Sequence, residues 1–377
     1  MNIIIVGDFS PQDRVAQLFE NNKTEAILSD VKLLLNKTDY SIVNFECAVV
    51  DNNNAKPIVK YGPCLSCPSA GVDYLNKIGF DCVTLANNHF RDFGNEGVKN
   101  SLKAFRDYGL DYVGGGLNLK ESQRILFKEI RGKKLAFVNL CENEFSIATD
   151  ERAGSAPLDL IANYNQIIKA RNNADIVIVI VHGGSEGWQY PTPRMKKTYQ
   201  WFVDIGADVV VNHHQHCFSG YEVYKEKPIF YGLGNFCFDE DGTRDCSWNY
   251  GFVLFLSIDD EIKFELIPYE QCNHKPEVRL LDEEEKAVFN KEIEDINNVI
   301  SDDRLLNINY ENFIKTKKGY LGIVSPYQNE YVRAAASRHW IPFFLPRKKM
   351  LNILNFIECE SHRDIFIDVL KKQIYHD

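Results

Sequence analysis

Short apolar runs alternate with longer amphipathic stretches from residue 1 to about residue 270. The short runs suit strands that are buried on both faces, and the longer stretches space their apolar residues as helices do. This alternation predicts an α/β fold in which helical crossovers connect parallel strands. The predicted strands are residues 3–6, 41–45, 82–86, 111–113, 135–140, 176–181, 209–211, 229–231, 252–257 and 262–267. The predicted helices are residues 25–36, 71–78, 96–108, 158–172 and 193–205.

Polar residues directly follow five of the predicted strands. Asp8 and Glu46 follow the first two strands, and the segment 87–89 (Asn-Asn-His) follows the third. His182 and the segment 212–216 (Asn-His-His-Gln-His) follow two later strands. Because ligands bind at the carboxyl ends of the strands in layered α/β folds, we expect these five endings to converge on one site.

The chain changes character from about residue 275. An acidic, helical stretch covers residues 281–301, and a further helix is predicted for residues 353–373. We therefore expect a main domain over residues 1–270 and a mostly helical extension over residues 271–377 that packs on it.

Composition and charge narrow the classes of protein to which the chain can belong. Of its 377 residues, 45% are hydrophobic and 25% are charged, which is typical of a folded globular protein and argues against global disorder. The formal net charge of -10 opposes the binding of a polyanion. A nucleic-acid partner, and with it a nuclease function, is therefore disfavoured.

The cysteines and the start of the chain bear on the cellular compartment. The ten cysteines are scattered, and only Cys64 and Cys67 form a CxxC pair, which favours ordinary thiols in a reducing compartment over a zinc ribbon. Residues 1–8 lack the basic and apolar regions of a signal peptide, and no apolar run reaches the roughly 20 residues of a membrane helix. We expect a cytoplasmic protein.

Histidines are concentrated at the predicted strand ends. Five of the nine lie there beside carboxylates or amides: His89, His182, His213, His214 and His216. Any one of them alone would more often be a hydrogen-bonded structural residue, but five at one topological position indicate a metal site. Imidazole nitrogen and carboxylate oxygen together suit divalent Mn, Fe or Zn, and the set is large enough for one or two ions.

The spacing within the histidine-rich segment predicts different directions for its side chains. His214 and His216 are two residues apart, so in an extended loop they share a side and can reach neighbouring ions. His213 should then point away and serve in packing or behind the ligands.

Four further residues are candidates for ligation or proton transfer. Asn88 offers an amide oxygen as a metal ligand, and His89 can donate a proton to a leaving oxygen. Asp92 either holds the tautomer of His89 or is an exposed loop carboxylate. Glu186, four residues after His182, is either a base or ligand orienter, or a solvated loop carboxylate.

Six short motifs occur in a fixed order between residues 7 and 216. They are 7–8 (Gly-Asp), 44–46 (Asn-Phe-Glu), 87–94 (Asn-Asn-His-Phe-Arg-Asp-Phe-Gly), 182–186 (His-Gly-Gly-Ser-Glu), 206–208 (Gly-Ala-Asp) and 213–216 (His-His-Gln-His). With these motifs, residues 1 to about 255 resemble the bacterial CapA-type proteins of capsule and poly-γ-glutamate synthesis, a branch of the calcineurin-like metallophosphoesterases. The glycines 114–116 and the segment 227–236 strengthen the resemblance.

The resemblance implies a fold and a set of roles. The fold is a four-layer α-β-β-α metallophosphoesterase-like sandwich, and the superfamily chemistry is hydrolysis of a phosphoester by a metal-activated hydroxide. The implied metal ligands are Asp8, Glu46 as the bridge between two ions, Asn88, His182, His214 and His216. The candidate catalytic residues are His89 as proton donor, Asp92 and Glu186.

Four positions depart from the related patterns. Ser10 stands where the wider superfamily has the histidine of its Asp-x-His motif, so the first ion should be held weakly. Glu46 replaces the bridging aspartate of the superfamily, as is usual in the CapA branch. Asn212 and Gln215 stand where the branch has glycine and proline. These departures predict a subgroup with its own substrate.

Two functions from different classes are consistent with the sequence. The first is a metal-dependent hydrolase, most simply a phosphoesterase, that acts on an anionic substrate or surface-polymer precursor. The second is a non-catalytic accessory subunit that keeps the fold and binds the polymer or polymer-synthesis proteins. Only the family resemblance points to the polymer, because fold alone does not specify function.

An aromatic and basic segment lies in the extension, at residues 339–349 (His-Trp-Ile-Pro-Phe-Phe-Leu-Pro-Arg-Lys-Lys). One interpretation is a weak peripheral membrane contact, in which the rings enter the interface and the cations meet anionic lipid. The other is that the aromatic residues dock on the main domain while the cations remain solvated.

Overall fold

The structure, a computed structural model, describes residues 1–21, 23–51, 55–317, 329–338, 340, 346–358, 362, 365–367, 369–370 and 374. Its strands are β1 (Asn2–Ser10), β2 (Tyr40–Phe45), β3 (Ala48–Val49), β4 (Ser66–Cys67), β5 (Cys82–Thr84), β6 (Asp111–Val113), β7 (Gly115–Gly116), β8 (Leu126–Ile130), β9 (Lys133–Cys141), β10 (Gly154–Ser155), β11 (Ile176–His182), β12 (Val209–His213), β13 (Tyr221–Tyr224), β14 (Lys227–Phe230), β15 (Asn235–Phe238), β16 (Tyr250–Ile258), β17 (Ile262–Gln271) and β18 (Val278–Leu280). Its α-helices are α1 (Asp13–Glu20), α2 (Ser29–Leu35), α3 (Ser69–Ile78), α4 (Gly94–Asp107), α5 (Leu119–Ser122), α6 (Leu160–Arg171), α7 (Pro193–Asp204), α8 (Glu283–Ser301), α9 (Asp303–Thr316), α10 (Glu330–Ser337) and α11 (Arg347–Glu358).

Two large sheets form the centre of the fold. The first has the order β18-β17-β16-β1-β2-β5-β6, with β15 also paired to β1, and the second has the order β13-β14-β12-β11-β9-β8. In the first sheet β1, β2, β5 and β6 are parallel, and in the second β14, β12, β11 and β9 are parallel. The parallel strands therefore direct their carboxyl ends to one edge of each sheet.

Alternation along β1 shows how the layers are built. Ile3 and Ile5 belong to the core that the two sheets share, while Ile4 and Val6 belong to the core beneath the helices on the other face. The sheets meet directly where the rings of Tyr40 on β2 and Phe137 on β9 stack at 5.5 Å. Helices α2, α3 and α4 cover the first sheet, and α6 and α7 cover the second. The predicted α-β-β-α architecture is thus confirmed.

All ten predicted strands, and all five helices predicted between residues 25 and 205, correspond to elements of the structure, with ends shifted by a few residues. The helical stretch predicted for residues 281–301 corresponds to α8. The helix predicted for residues 353–373 overlaps α11, which ends at Glu358, and residues 359–361, 363–364, 368 and 371–373 lie outside the described residues.

The sequence analysis missed the helices α1, α5, α9 and α10 and the short strands β3, β4, β7, β10, β15 and β18. It also missed the strands β8 and β13. Both strands lie at the edges of the second sheet and are only partly buried, so they lack the continuous apolar runs of the central strands.

The chain divides into two compact units, residues 1–307 and residues 308–377. The first unit continues beyond the boundary expected near residue 270, because β18 pairs with β17 and α8 buries Phe289, Ile293 and Ile296 in the core. The second unit contains α10 and α11. Positions 339 and 341–345 of the aromatic and basic segment lie outside the described residues, so a membrane contact there stays a prediction. No helix in the described part of the chain is long and apolar enough to cross a membrane.

Helix α8 begins with a capping box that an arginine reinforces. The Asp282 side chain accepts hydrogen bonds from the backbone N–H groups of Glu284 and Glu285, and the Glu285 carboxylate accepts one from the Asp282 N–H at 2.9 Å. Arg279 binds both oxygens of Glu285, at 2.7 and 2.9 Å. The hydrogen bond from Arg279 and the one from the Asp282 backbone lower the pKa of Glu285 to about 2.

This capping box gives stability with a defined pH dependence. The pKa of Glu285 is lower in the folded chain than its ordinary value of 4.5, so its contribution is present above pH 4.5 and is lost as the pH falls towards about 2. The side chain is 38% exposed. Solvent screening therefore limits the expected cost of Glu285→Gln at neutral pH to about 1 kcal/mol. Urea unfolding of both proteins should show this difference at neutral pH and its decline below pH 4.5. A difference that is constant with pH would contradict the assignment.

Candidate metal centre

Side chains from strands of both sheets meet in one buried cluster. Asp8 lies near the end of β1, and Glu46 directly follows β2. His182 is the last residue of β11, and His214 and His216 follow β12. All five side chains are buried. The structure therefore brings together residues that are up to about 200 positions apart in the chain, as the polar strand endings predict.

Two groups of three ligand atoms share one carboxylate. Nitrogen and oxygen atoms of Glu46, His182 and His214 lie within 4.8 Å of one another, and so do those of Asp8, Glu46 and His216. The distance from His182 Nε2 to Glu46 Oε1 is 3.4 Å, and that from His216 Nδ1 to Asp8 Oδ2 is 3.8 Å. Two ligands about 2.1 Å from a tetrahedral ion lie about 3.4 Å apart, so this spacing suits divalent ions. Glu46 is the residue that these two groups have in common.

Glu46 itself provides the test of whether a cation fits. Its carboxylate is fully buried, and within the described part of the chain neither oxygen has a hydrogen-bond donor. Burial raises the pKa of this carboxyl group, and the nearby Glu186 raises it further. A buried carboxylate without donors is costly unless a cation compensates its charge. The donor set therefore fits a divalent metal.

Asn88 adds an oxygen to the first group of ligands. Its Oδ1 lies 3.0 Å from His182 Nε2, and the same nitrogen lies 3.1 Å from His214 Nδ1. With Glu46 Oε1 at 3.4 Å, three atoms that carry lone pairs surround His182 Nε2, and a single ring proton can serve only one of them. A cation among these atoms would satisfy all of them at once.

Asp8 is held in place by donors from both sheets. Asn44 Nδ2 donates to Asp8 Oδ1 at 2.7 Å and lies 3.2 Å from His182 Nδ1, so it links the two sheets beneath the cluster. The backbone N–H of His214 donates to Asp8 Oδ2 at 3.3 Å. Burial, together with the negative charge of Glu46, raises the pKa of Asp8 to about 8.

The histidines of the cluster differ in their electrostatic surroundings. Burial holds the pKa values of His182 and His214 well below their usual range, which keeps both rings neutral and able to offer a lone pair. Burial also disfavours the charged form of His216, but the carboxylates of Glu46 and Asp8 outweigh it and raise the pKa of that ring. His216 therefore lies on the carboxylate side of the cluster.

The backbone of the segment 213–216 decides which rings enter the cluster. His214 and His216 have φ values of 91° and 55°, in the left-handed region that side chains other than glycine seldom adopt. These turns interrupt the alternation on which the expectation for His213 rests. His213 is still part of β12, in register with His182, and its Nδ1 lies 3.4 Å from Asp8 Oδ1. His213 therefore contacts the candidate ligand Asp8, but among the described residues it belongs to none of the candidate ligand groups.

Asn212 and Gln215, the two departures from the branch, have structural partners. The Asn212 side chain donates to the carbonyl oxygens of Gly183, His213 and Tyr231, and thus joins the ends of three strands and loops. Gln215 Nε2 donates to the carbonyl oxygens of Trp188 and Tyr190, at 2.8 and 3.1 Å. Gln215 therefore fixes the aromatic loop that follows Glu186.

His89 and Asp92 form a pair beside the ligand cluster. His89 Nδ1 lies 2.6 Å from Asp92 Oδ2, and Asp92 is fully buried, so it is not an exposed loop carboxylate. The side chain of Lys60 contacts Asp92 Oδ1 and lies 3.2 Å from His89 Nδ1. Lys60 is a residue that the sequence analysis missed. No spacing signal could have found it, since its loop is joined to Asp92 only by tertiary contacts.

Carboxylates also line the exposed side of the cluster. Glu186 is exposed, and its carboxylate lies within 4.8 Å of ring nitrogens of His214 and His216. Glu144, which the sequence analysis missed, has Oε1 at 3.9 Å from His214 Nε2. Partial burial and the charge of Glu186 raise the pKa of Glu144. Two carboxylates therefore lie beside the cluster, next to the His214 ring.

Ser10 does not replace the histidine of the superfamily motif. Its hydroxyl accepts a hydrogen bond from Gln12 Nε2 at 3.1 Å.

Several known proteins are similar in sequence to this chain. Residues 2–240 match the family model "Bacterial capsule synthesis protein PGA_cap". The chain is 35% identical over 252 residues to "Capsule biosynthesis protein CapA" of Bacillus anthracis, an alignment covering 65% of this chain and 61% of the relative. It is 32% identical over 243 residues to "PGA biosynthesis protein CapA" of Bacillus subtilis, covering 63% of each. The chain thus spans less than two thirds of the length of either relative.

A further relative and two solved structures are more distant. "Probable polyglutamine synthesis accessory protein Rv0574c" of Mycobacterium tuberculosis is 28% identical, over 61% of this chain and 64% of the relative. A hypothetical protein from Thermus thermophilus has a TM-score of 0.44 at 14% identity, covering 72% of this chain and 99% of that one. A putative 5'-nucleotidase from Staphylococcus aureus has a TM-score of 0.41 at 15% identity, covering 78% and 58%.

Proposed function

Because the chain belongs to the bacterial capsule synthesis protein family PGA_cap, we propose that it is a divalent-metal-dependent hydrolase, most simply a phosphoesterase, in the synthesis of a capsule or poly-γ-glutamate polymer. The observation that carries the proposal is the buried carboxylate of Glu46. It lacks donors among the described residues and lies between two groups of ligand atoms. Its substrate would be an anionic precursor or segment of the surface polymer.

The residues of the chain would have separate roles at this site. Divalent ions bound there would act as Lewis acids towards a phosphoryl oxygen. The residues that would hold them are Asp8, Glu46, Asn88, His182, His214 and His216. His89 would donate a proton to the leaving oxygen, with Asp92 fixing the orientation of its ring through the 2.6 Å contact. Glu186 would accept a proton or orient a ligand from the exposed side.

Two observations favour a second candidate function, a non-catalytic accessory subunit that binds the polymer or polymer-synthesis proteins. Ser10 provides no imidazole for the ion beside Asp8, so one candidate ligand of the superfamily is missing. Glu144 and Glu186 place negative charge where a phosphate dianion would approach. One relative is itself named a probable accessory protein.

Hydrolysis by the metal-loaded chain distinguishes the two functions. We expect the protein, loaded with Mn, Fe or Zn, to hydrolyse phosphomonoesters or phosphodiesters. His89→Asn should lower kcat about 100-fold while the metal content stays unchanged, because proton transfer is lost and the ligands are kept. His274→Asn, a matched change at an exposed histidine, should change neither quantity.

Either alternative outcome has a definite meaning. Bound metal without hydrolysis of any ester by the wild-type protein would favour the accessory function. An absence of bound metal in the wild-type protein would contradict both the hydrolase and the metal centre.

A further inference from the structure

Lys60 is a buried cation next to the pair that would transfer the proton. Its side chain is only 4% exposed, and that of Asp92 is fully buried. The ammonium group contacts Asp92 Oδ1 and lies 3.2 Å from His89 Nδ1. A buried lysine must be paired, and the pairing here is with the residue that orients His89.

The loop that carries Lys60 is fastened to Asp92 at three points. The Leu65 N–H donates to Asp92 Oδ2 at 2.7 Å, and the Ile58 N–H donates to the Asp92 carbonyl oxygen at 2.9 Å. Lys60 provides the third contact, through Oδ1. Segment 58–65 therefore surrounds Asp92, and Lys60 is the part of it that reaches the His89 ring.

The hydrogen-bonding capacities assign a role to each atom. The Asp92 carboxylate only accepts, so the 2.6 Å contact with His89 requires a proton on Nδ1. The Lys60 ammonium can then bond only to Asp92 Oδ1, since Nδ1 has no remaining lone pair. Lys60 occupies one carboxylate oxygen and leaves the other facing the ring. The opposite nitrogen, Nε2, remains for a substrate.

We infer that Lys60 is a positioning residue for His89: by binding Asp92 Oδ1, it fixes the carboxylate so that His89 keeps its proton on Nδ1 and presents Nε2 to the leaving oxygen. The expected loss of kcat rests on the proposed hydrolase function, but the effect of Lys60 on the His89 tautomer does not. Without Lys60, Asp92 Oδ1 loses the cation that holds it. The carboxylate can then turn away from the His89 ring, and the Nδ1-protonated tautomer is no longer enforced.

The test compares two esters that differ in how much they need a proton donor. With Lys60→Met, kcat for an alkyl phosphoester should fall about 100-fold, because its alkoxide must be protonated as it leaves. For a nitrophenyl phosphoester, whose phenolate leaves without a proton, the fall should stay below about threefold. Lys56→Met, a change at an exposed lysine of the same loop, should leave both rates unchanged. An equal loss on both esters would overturn the inference.

A second measurement does not depend on activity. In the zinc-loaded protein at fixed pH, the ¹⁵N chemical shifts of the His89 ring should show a protonated Nδ1 in the wild type and a tautomer mixture in Lys60→Met. Lys60→Gln, which can still donate to Oδ1, should retain the wild-type signal, and a tautomer mixture in a folded Lys60→Gln protein would overturn the role of the Oδ1 contact. Unchanged ring shifts in Lys60→Met would refute the positioning role. If the wild-type protein hydrolyses no ester, the proposed function fails while the ring shifts still decide the role of Lys60.

Discussion

Replacing Glu46 with glutamine should stabilise the metal-free protein and remove the stabilisation that divalent ions give to the wild type. Glu46 is a buried carboxylate that lacks hydrogen-bond donors among the described residues, and Asp8 places a second carboxylate close by. Without metal, a neutral amide at position 46 removes the cost of burying a carboxylate and its repulsion with Asp8. The free energy of unfolding should therefore rise by about 1–3 kcal/mol. With metal, each ion at a hundred times its Kd contributes about 2.7 kcal/mol to the wild type, and the variant loses the shared ligand of both.

Thermal unfolding with and without Mn or Zn, together with elemental analysis, measures this reversal. The wild type should unfold at a higher temperature when metal is added and should retain about two ions per chain. Glu46→Gln should gain little stability from metal and retain few ions. Glu142→Gln is the matched control, since Glu142 binds the Gly184 N–H and Arg194 at a neighbouring strand end but belongs to neither group that shares Glu46. A Glu46→Gln protein that still binds two ions would rule out the bridging role.

Gly7→Ala should destabilise the fold and weaken metal binding together. A Cβ at position 7 would lie 1.8 Å from the carbonyl oxygen of Gly234, so the strands β1 and β15 would have to separate. Both strands carry parts of the site, because Asp8 pairs with Asn235, whose Oδ1 contacts His216 Nδ1 at 2.9 Å. We expect a loss of about 3 kcal/mol, at the upper end of the cost of overpacking a core.

Urea unfolding and metal titration of the same protein test this coupling. Gly132→Ala is the appropriate control for the steric clash, since a Cβ there meets no atom within 4 Å, although its φ of 76° is itself strained for a side chain. Gly132→Ala should lower the free energy of unfolding by about 1 kcal/mol and leave metal affinity unchanged. If Gly7→Ala lost stability but kept full metal affinity, the two strands would not position Asp8 and His216 as argued.

The alternation of apolar and polar residues was sufficient to predict an α/β fold with parallel strands, whereas the four-layer arrangement was implied only by the family resemblance. The central strands are continuous apolar runs because both faces are buried, and such runs can be recognised without knowing their neighbours. The edge strands β8 and β13 were missed because their exposed faces remove that signal.

The same reasoning located most of the candidate site. Asp8, Glu46, Asn88, His182, His214 and His216 each follow or end a strand, and parallel strands bring their carboxyl ends to one edge. Their metal-binding role remains a prediction, but their convergence follows from strand order and polarity.

The sequence patterns did not predict contacts between segments that are distant in the chain. Lys60 and Glu144 come from loops, where no periodicity constrains direction, and the left-handed turns at His214 and His216 interrupt the alternation on which the expectation for His213 rested. Asn139 is a further case: it accepts from the Leu85 and Ala86 N–H groups and donates to the Ile180 carbonyl, and so fixes the segment before Asn88. The sequence thus determined which side chains reach the strand ends, because strand periodicity is local. Only the tertiary structure decided their partners, because loop direction depends on contacts between residues far apart in the chain.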